Sequence, residues 1–159
     1  MLEQLQIFNV LSNKDVAKVN SAIAMLEQPR WIKRTVLNNT RRVNGATCRY
    51  DFCGHSQMPR DIKDFLKSLA PIYKDFPLAE IAINRYNVGD YIGQHKDADL
   101  YRKNLVIALQ ANGDGVYIDT DNNFIEDVEG QGVLITGVGP IHSVPPVKKL
   151  RHCLIYLYE

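Results

Sequence analysis

The sequence predicts an α+β fold in which two helices support a body of many short strands. Apolar residues recur at helical spacing in two stretches, near residues 13–28 and 60–72. After residue 79 the chain changes character, and short apolar runs are separated by Gly-, Pro-, Asn- and Asp-rich turns. Many short strands following two helices suggest a double-stranded β-helix, the distorted jelly roll.

The elements follow in order. Leu2, Leu5, Ile7 and Val10 alternate partly and read as a short strand. Ser12 or Asn13 suits an N-cap, and Val16, Val19, Ile23 and Leu26 give the first helix an apolar face that stops before Pro29. Trp31 to Val36 and Thr47 to Phe52 suit strands, with turn signals at Asn38-Asn39 and Asn44-Gly45. Pro59 opens a second helix with Ile62, Phe65, Leu66, Leu69 and Ile72 on one face. Further strands are expected at 79–83, 105–109, 116–120, 123–128, 133–136 and 153–158. Asp119, Asp121, Asn123 and Glu126 have the spacing of a calcium loop without its glycine, and read as turn chemistry.

At 159 residues the chain is expected to form one domain, 1–159, with a real core. A net charge of +1 supplies no global attraction to nucleic acid or membrane. Cys48, Cys53 and Cys153 are odd in number and lack zinc spacing, which points to free thiols in a reducing, cytoplasmic setting. With no signal-peptide pattern and no run of 18 apolar residues, no membrane association is expected.

The chemistry gathers around Ile83–Asp99. His95 and Asp97 are two residues apart, so on an extended strand they share a face and can reach one metal ion. A third ligand is needed. His142, approached through Gly137-Val138-Gly139-Pro140, suits this better than His55 or His152. His152 adjoins Arg151, so the two should face opposite ways. Two His and one carboxylate with open positions is the facial triad of non-heme Fe(II) oxygenases. Arg151 could return beside the metal through a short reversal between antiparallel strands and clamp a carboxylate. Arg30, Lys33, Arg34, Arg41, Arg42 and Arg49 interleave with Trp31, Tyr50 and Phe52. That mixture suits a single-stranded or flipped-out nucleotide, or else a solvated hairpin with core aromatics.

The set His95-x-Asp97, His142 and Arg151 resembles the Fe(II)/2-oxoglutarate-dependent dioxygenases. Asn84-Arg85-Tyr86-x-x-Gly89 followed by Ile92-Gly93-x-His95-x-Asp97-x-Asp99 is similar to the AlkB branch, over roughly residues 80–158. The resemblance implies Fe(II) held by His95, Asp97 and His142, with 2-oxoglutarate and O2 as cosubstrates. It implies that Arg151 takes the distal carboxylate of 2-oxoglutarate, with Asn84 and Tyr86 bonding the same molecule. It also implies oxidative dealkylation of N-alkylated bases in DNA or RNA. Asp99 would bond the damaged base, and the stretch holding Arg41, Arg42, Arg49 and Tyr50 would form a recognition lid.

The sequence departs from that branch at Leu157, where a second Arg is usual, and in a short interval from His142 to Arg151. Both resemble the prolyl-hydroxylase branch, which makes a protein side chain the alternative substrate. A jelly roll that only binds would be marked by a broken triad, and here the triad is intact.

Overall fold

Ser12 caps the first helix as expected: its Oγ accepts from the Asp15 N–H at 3.1 Å, and the helix α1 spans Asn13–Ala24. It ends earlier than predicted, because Met25 N–H turns back to the carbonyls of Ala22 and Ile23. The second helix, α2, spans Arg60–Ser68 and buries Ile62 and Leu66. Ile72 lies beyond that helix and is 95% exposed, so it does not extend the apolar face as the spacing suggested. The computed structural model describes residues 5–37, 46–97, 101–119, 123–137 and 139–159.

Around these helices the described residues form eleven strands: β1 (Leu5–Asn9), β2 (Ile32–Val36), β3 (Thr47–Cys53), β4 (Leu78–Tyr86), β5 (Tyr91–His95), β6 (Lys103–Ala108), β7 (Gly115–Ile118), β8 (Asn123–Glu126), β9 (Gln131–Thr136), β10 (His142–Val144) and β11 (Arg151–Tyr158). A larger sheet runs β1-β9-β6-β11-β4-β3, with β2 on the outer edge of β3, and a smaller one runs β3-β5-β10-β7-β8. Every pairing is antiparallel. Strand β3 belongs to both sheets, so they curl into one body. This is the double-stranded β-helix that the sequence predicts.

Alternation along the larger sheet divides its residues between two environments. Ile81, Ile83, Leu105, Ile107, Leu134, Leu154, Tyr156 and Tyr158 face the helices and pack with Val16, Val19, Ile23, Ile62 and Leu66. Tyr156 and Tyr158 donate to the carbonyls of Leu66 and Pro71, which ties the end of α2 to the final strand. The other face turns toward the smaller sheet and walls a cavity of about 400 Å³.

The turn between β4 and β5 aims the strand that carries His95. Asp90 N–H donates to Asn87 O at 2.8 Å, and Gly89 sits at φ 89°, where a side chain would be strained. Strands β7 and β8 flank the Asp119–Glu126 spacing and pair directly from Gly115↔Glu126 to Ile118↔Asn123, while Asp121 lies outside the described residues. Cys48, Cys53 and Cys153 are all free. Among the described residues no helix is long and apolar enough to cross a membrane. The turns expected at Asn38-Asn39, Asn44-Gly45 and Asp121-Asn122 lie outside the described residues.

Candidate metal centre

His95 closes β5 and His142 opens β10, and the two are direct partners in the antiparallel register. Their ring centroids are 4.2 Å apart. Asp97 lies two residues past β5 rather than on it, yet its Oδ1 still reaches 3.2 Å from His142 Nε2 and 4.0 Å from His95 Nε2. One ligand atom from each of the three lies within 4.8 Å of the other two. The close approach before His142 depends on Gly139, at φ 69°, where a Cβ would stand 2.2 Å from Ile135 Cγ2.

The second ring nitrogens define the tautomers. His95 Nδ1 lies 2.8 Å from Gly93 O, and His142 Nδ1 lies 3.0 Å from Pro140 O. A carbonyl can only accept, so each ring carries a proton on Nδ1 and turns Nε2, the atom left for a metal, toward Asp97. Burial and the neighbouring His142 push His95 down to about 4, which keeps it neutral and ready to ligate. Burial opposes charge on both Asp97 and His142. Their mutual attraction prevails, lowering the carboxyl and raising the imidazole. Asn104 Nδ2 donates to Asp97 Oδ2 at 3.1 Å and fixes the carboxylate's orientation.

Neighbouring ligands of an octahedral ion sit roughly 3 Å apart when the bonds are about 2.1 Å. The observed 3.2 Å is close to that spacing and the 4.0 Å is wider, so His95 and Asp97 would draw together on a metal. Two imidazoles that turn Nε2 inward and one oriented carboxylate therefore fit a divalent first-row metal, which would displace the proton that Asp97 favours on His142.

Arg151, Tyr86 and Asn84 line the same cavity from the larger sheet. Strand β10 belongs to the smaller sheet and β11 to the larger, so Arg151 reaches the cavity across it. It does not arrive by a hairpin reversal from His142, as the sequence suggested. Arg151 pairs in register with Tyr86, its guanidinium lies 4.9 Å from the Tyr86 ring centroid, and Asn84 Nδ2 donates to Tyr86 Oη at 3.2 Å. Arg151 also makes a side-on bidentate pair with Asp127: Nε to Oδ2 at 2.7 Å and Nη2 to Oδ1 at 3.0 Å. Both residues are buried.

The other residues singled out in the sequence are dispersed. Tyr50 lines the cavity and stacks on Tyr86 with centroids 5.6 Å apart; burial pushes its hydroxyl up to about 12. Arg49 instead pairs with Asp90 at 2.7 Å and does not line the cavity. Arg41, Arg42 and Asp99 lie outside the described residues. Among the other basic residues of that stretch, Arg30 donates to Gln57 O, Lys33 pairs with Asp51 at 3.0 Å, and Arg34 covers the Phe52 ring. His152 turns away from the cavity and faces Trp31, and His55 Nδ1 accepts from Ile81 N–H. Asn104 and Asp127 were missed by sequence reasoning. Neither has a linear signal, since each meets its partner through sheet closure.

No protein-family model matches the chain, and no curated protein does. Solved structures do match its fold. A 2OG-Fe(II) oxygenase family oxidoreductase from Burkholderia pseudomallei aligns with TM-score 0.67 and 15% identity, over 99% of this chain and 85% of that one. A prolyl-4-hydroxylase from Pseudomonas putida aligns with TM-score 0.66 and 15% identity, over 98% and 92%. The viral collagen prolyl hydroxylase of Paramecium Bursaria Chlorella virus-1, in its 2OG complex, aligns with TM-score 0.59 and 15% identity, over 98% and 95%. The shared property is the fold, the curled antiparallel body described above.

Proposed function

We propose that this chain is an Fe(II)- and 2-oxoglutarate-dependent dioxygenase. The observation that carries the reading is the joint placement of His95, Asp97 and His142 opposite Arg151, Tyr86 and Asn84 around one cavity. When bound, iron and 2-oxoglutarate supply the activation of O2, so that substrate C–H, O2 and 2-oxoglutarate yield C–OH, succinate and CO2.

The chain's own residues hold and exclude. His95 and His142 present Nε2 to the metal because Gly93 O and Pro140 O hold a proton on each Nδ1. Asp97 contributes the single negative charge, and Asn104 keeps it from rotating. Arg151, Asn84 and Tyr86 are the polar groups suited to a carboxylate arriving from the metal side. Ile92, Ile118, Val133, Ile135 and Val144 line the cavity and keep water from the reacting atoms.

For the substrate, we favour a protein side chain of the prolyl type. Of the described basic side chains of residues 30–49, Lys33 and Arg49 are paired with Asp51 and Asp90 and Arg30 bonds Gln57 O, so part of that charge is already matched within the chain. Two of the similar structures are prolyl hydroxylases. Dealkylation of a flipped nucleobase is the second reading, and the Tyr50 ring in the cavity wall favours it by offering a stacking face.

The test is succinate release from 2-oxoglutarate with Fe(II) and O2, in the presence of proline-containing peptides or alkylated single-stranded oligonucleotides. Stimulation by peptide supports the favoured substrate. Stimulation by oligonucleotide, with affinity that falls steeply with salt, supports the second. No succinate in any mixture, from folded protein that binds Fe(II), contradicts the enzyme reading.

A further inference from the structure

The Arg151–Asp127 pair is built into the fold. Asp127 N–H donates to Asp114 O at 2.9 Å. The Asp114 carboxylate in turn accepts from the backbone N–H groups of Lys148 and Lys149, at 2.9 and 3.3 Å, just before Arg151 begins β11. One residue therefore ties the Asp127 segment to the approach of the final strand. The carboxylate is held against Nε and Nη2 by the backbone on both sides, and among the described residues no acceptor meets Nη1.

The pair places one positive and one negative charge together in the cavity wall. Among the described residues, the remaining charged side chains in that wall, outside the metal ligands, are Arg34, Lys96, Glu80 and Glu126, two of each sign. Among the described residues, no surplus positive charge awaits a second carboxylate. A lone buried guanidinium would strongly prefer a dicarboxylate, because attraction in a dry cavity is weakly screened. A fixed like charge on the other side of that guanidinium removes most of the preference, since Coulomb energy falls only as the inverse of distance.

We propose that Asp127 is a specificity-determining residue: it neutralises Arg151 so that the cavity accepts 2-oxo acids with an uncharged end about as well as 2-oxoglutarate. The apolar wall from the larger sheet, with Val106, Ala108 and Val133, suits such an end, which carries no charge to desolvate. The inference rests on the proposed 2-oxo acid site and refines which acids that site takes.

Calorimetric titration tests it without turnover. Fe(II)-loaded protein under anaerobic conditions is titrated with 2-oxoglutarate and with 2-oxopentanoate, which ends in a methyl group. Wild type should bind the two with dissociation constants within about tenfold of each other. Asp127→Asn should tighten 2-oxoglutarate by about tenfold or more and leave 2-oxopentanoate within about twofold. A wild-type preference for 2-oxoglutarate beyond about tenfold overturns the inference while leaving the site reading intact. So does a 2-oxoglutarate affinity that is unchanged or weakened in Asp127→Asn. The wild-type ratio needs no variant and decides the matter if Asp127→Asn does not fold. Failure of Fe(II)-loaded wild type to bind either acid overturns the 2-oxo acid site itself, and the inference with it.

Discussion

His95 and His142 are direct partners across an antiparallel strand pair, and both turn Nε2 toward Asp97. Their register, set by the pairing of β5 with β10, makes the candidate metal site a property of the smaller sheet. Removing one imidazole should leave the pairing in place and remove one ligand of three. His95→Ala and His142→Ala are therefore expected to retain strand signal in circular dichroism while Fe(II) affinity falls by at least about a hundredfold, measured by anaerobic calorimetry. Metal affinity within about twofold of wild type would mean that these imidazoles are not ligands.

Asn104 bonds Asp97 Oδ2 at 3.1 Å and, in the proposed metal site, would act on the metal through that ligand. Partners that orient a ligand typically change metal affinity by about 10–100-fold. Asn104→Ala should weaken Fe(II) binding within that range, and Asn104→Asp should weaken it as well because the donor is lost. An unaltered affinity in both would show that Asp97 is held by other means.

Arg151→Ala should be costly before any ligand is considered. It leaves the Asp127 carboxylate buried without its bidentate partner. Breaking one side of a buried ion pair costs about 3–5 kcal/mol. Replacing both residues, as Arg151→Met with Asp127→Leu, removes the stranded charge and should recover most of that loss in urea unfolding. A double variant no more stable than Arg151→Ala would contradict this account of the pair.

Acid should weaken the fold through His152. Burial first, and then the positive charge of Arg85, push this imidazole down to about 4 in the folded chain. In the unfolded chain it titrates near 6.5. Between those values the unfolded state binds a proton that the folded state refuses. The contribution is therefore intact above pH 6.5 and is lost as pH falls toward 4, at about 1 kcal/mol per pH unit. His95 adds a loss of the same sign over the same window when no metal is bound. His152→Phe keeps a ring facing Trp31 and should flatten the decline between pH 6.5 and 4.5 in urea unfolding. An equally steep decline in the variant would exclude His152 as a source.

How much of this was legible depended on the distance between partners along the chain. His95 and Asp97 are neighbours in sequence, so a period-two argument found them together even though the strand ends between them. Ser12 and the apolar series behind it gave the start of α1 for the same reason, since a cap bond spans three residues. His142 required a choice among three histidines, and neighbouring Arg151 correctly turned His152 away from the cavity. Asp127 could not be found in this way. Its partner is 24 residues on, and only the meeting of the two sheets brings it to Arg151. The predicted reversal between His142 and Arg151 failed on the same ground, because sequence nearness does not reveal that β10 and β11 belong to different sheets. Ile72 kept its helical spacing after the helix had stopped at Ser68, ahead of Pro71.

The most direct test of the oxygenase reading is an anaerobic titration of the protein with Fe(II) and 2-oxoglutarate, followed by visible absorption. A 2-oxo acid chelating the iron gives a metal-to-ligand charge-transfer band. The account predicts that wild type shows this band and that His95→Ala loses it. Folded wild type that binds Fe(II) and shows no band at saturating 2-oxoglutarate would contradict the account and leave a jelly roll that binds metal without this cosubstrate.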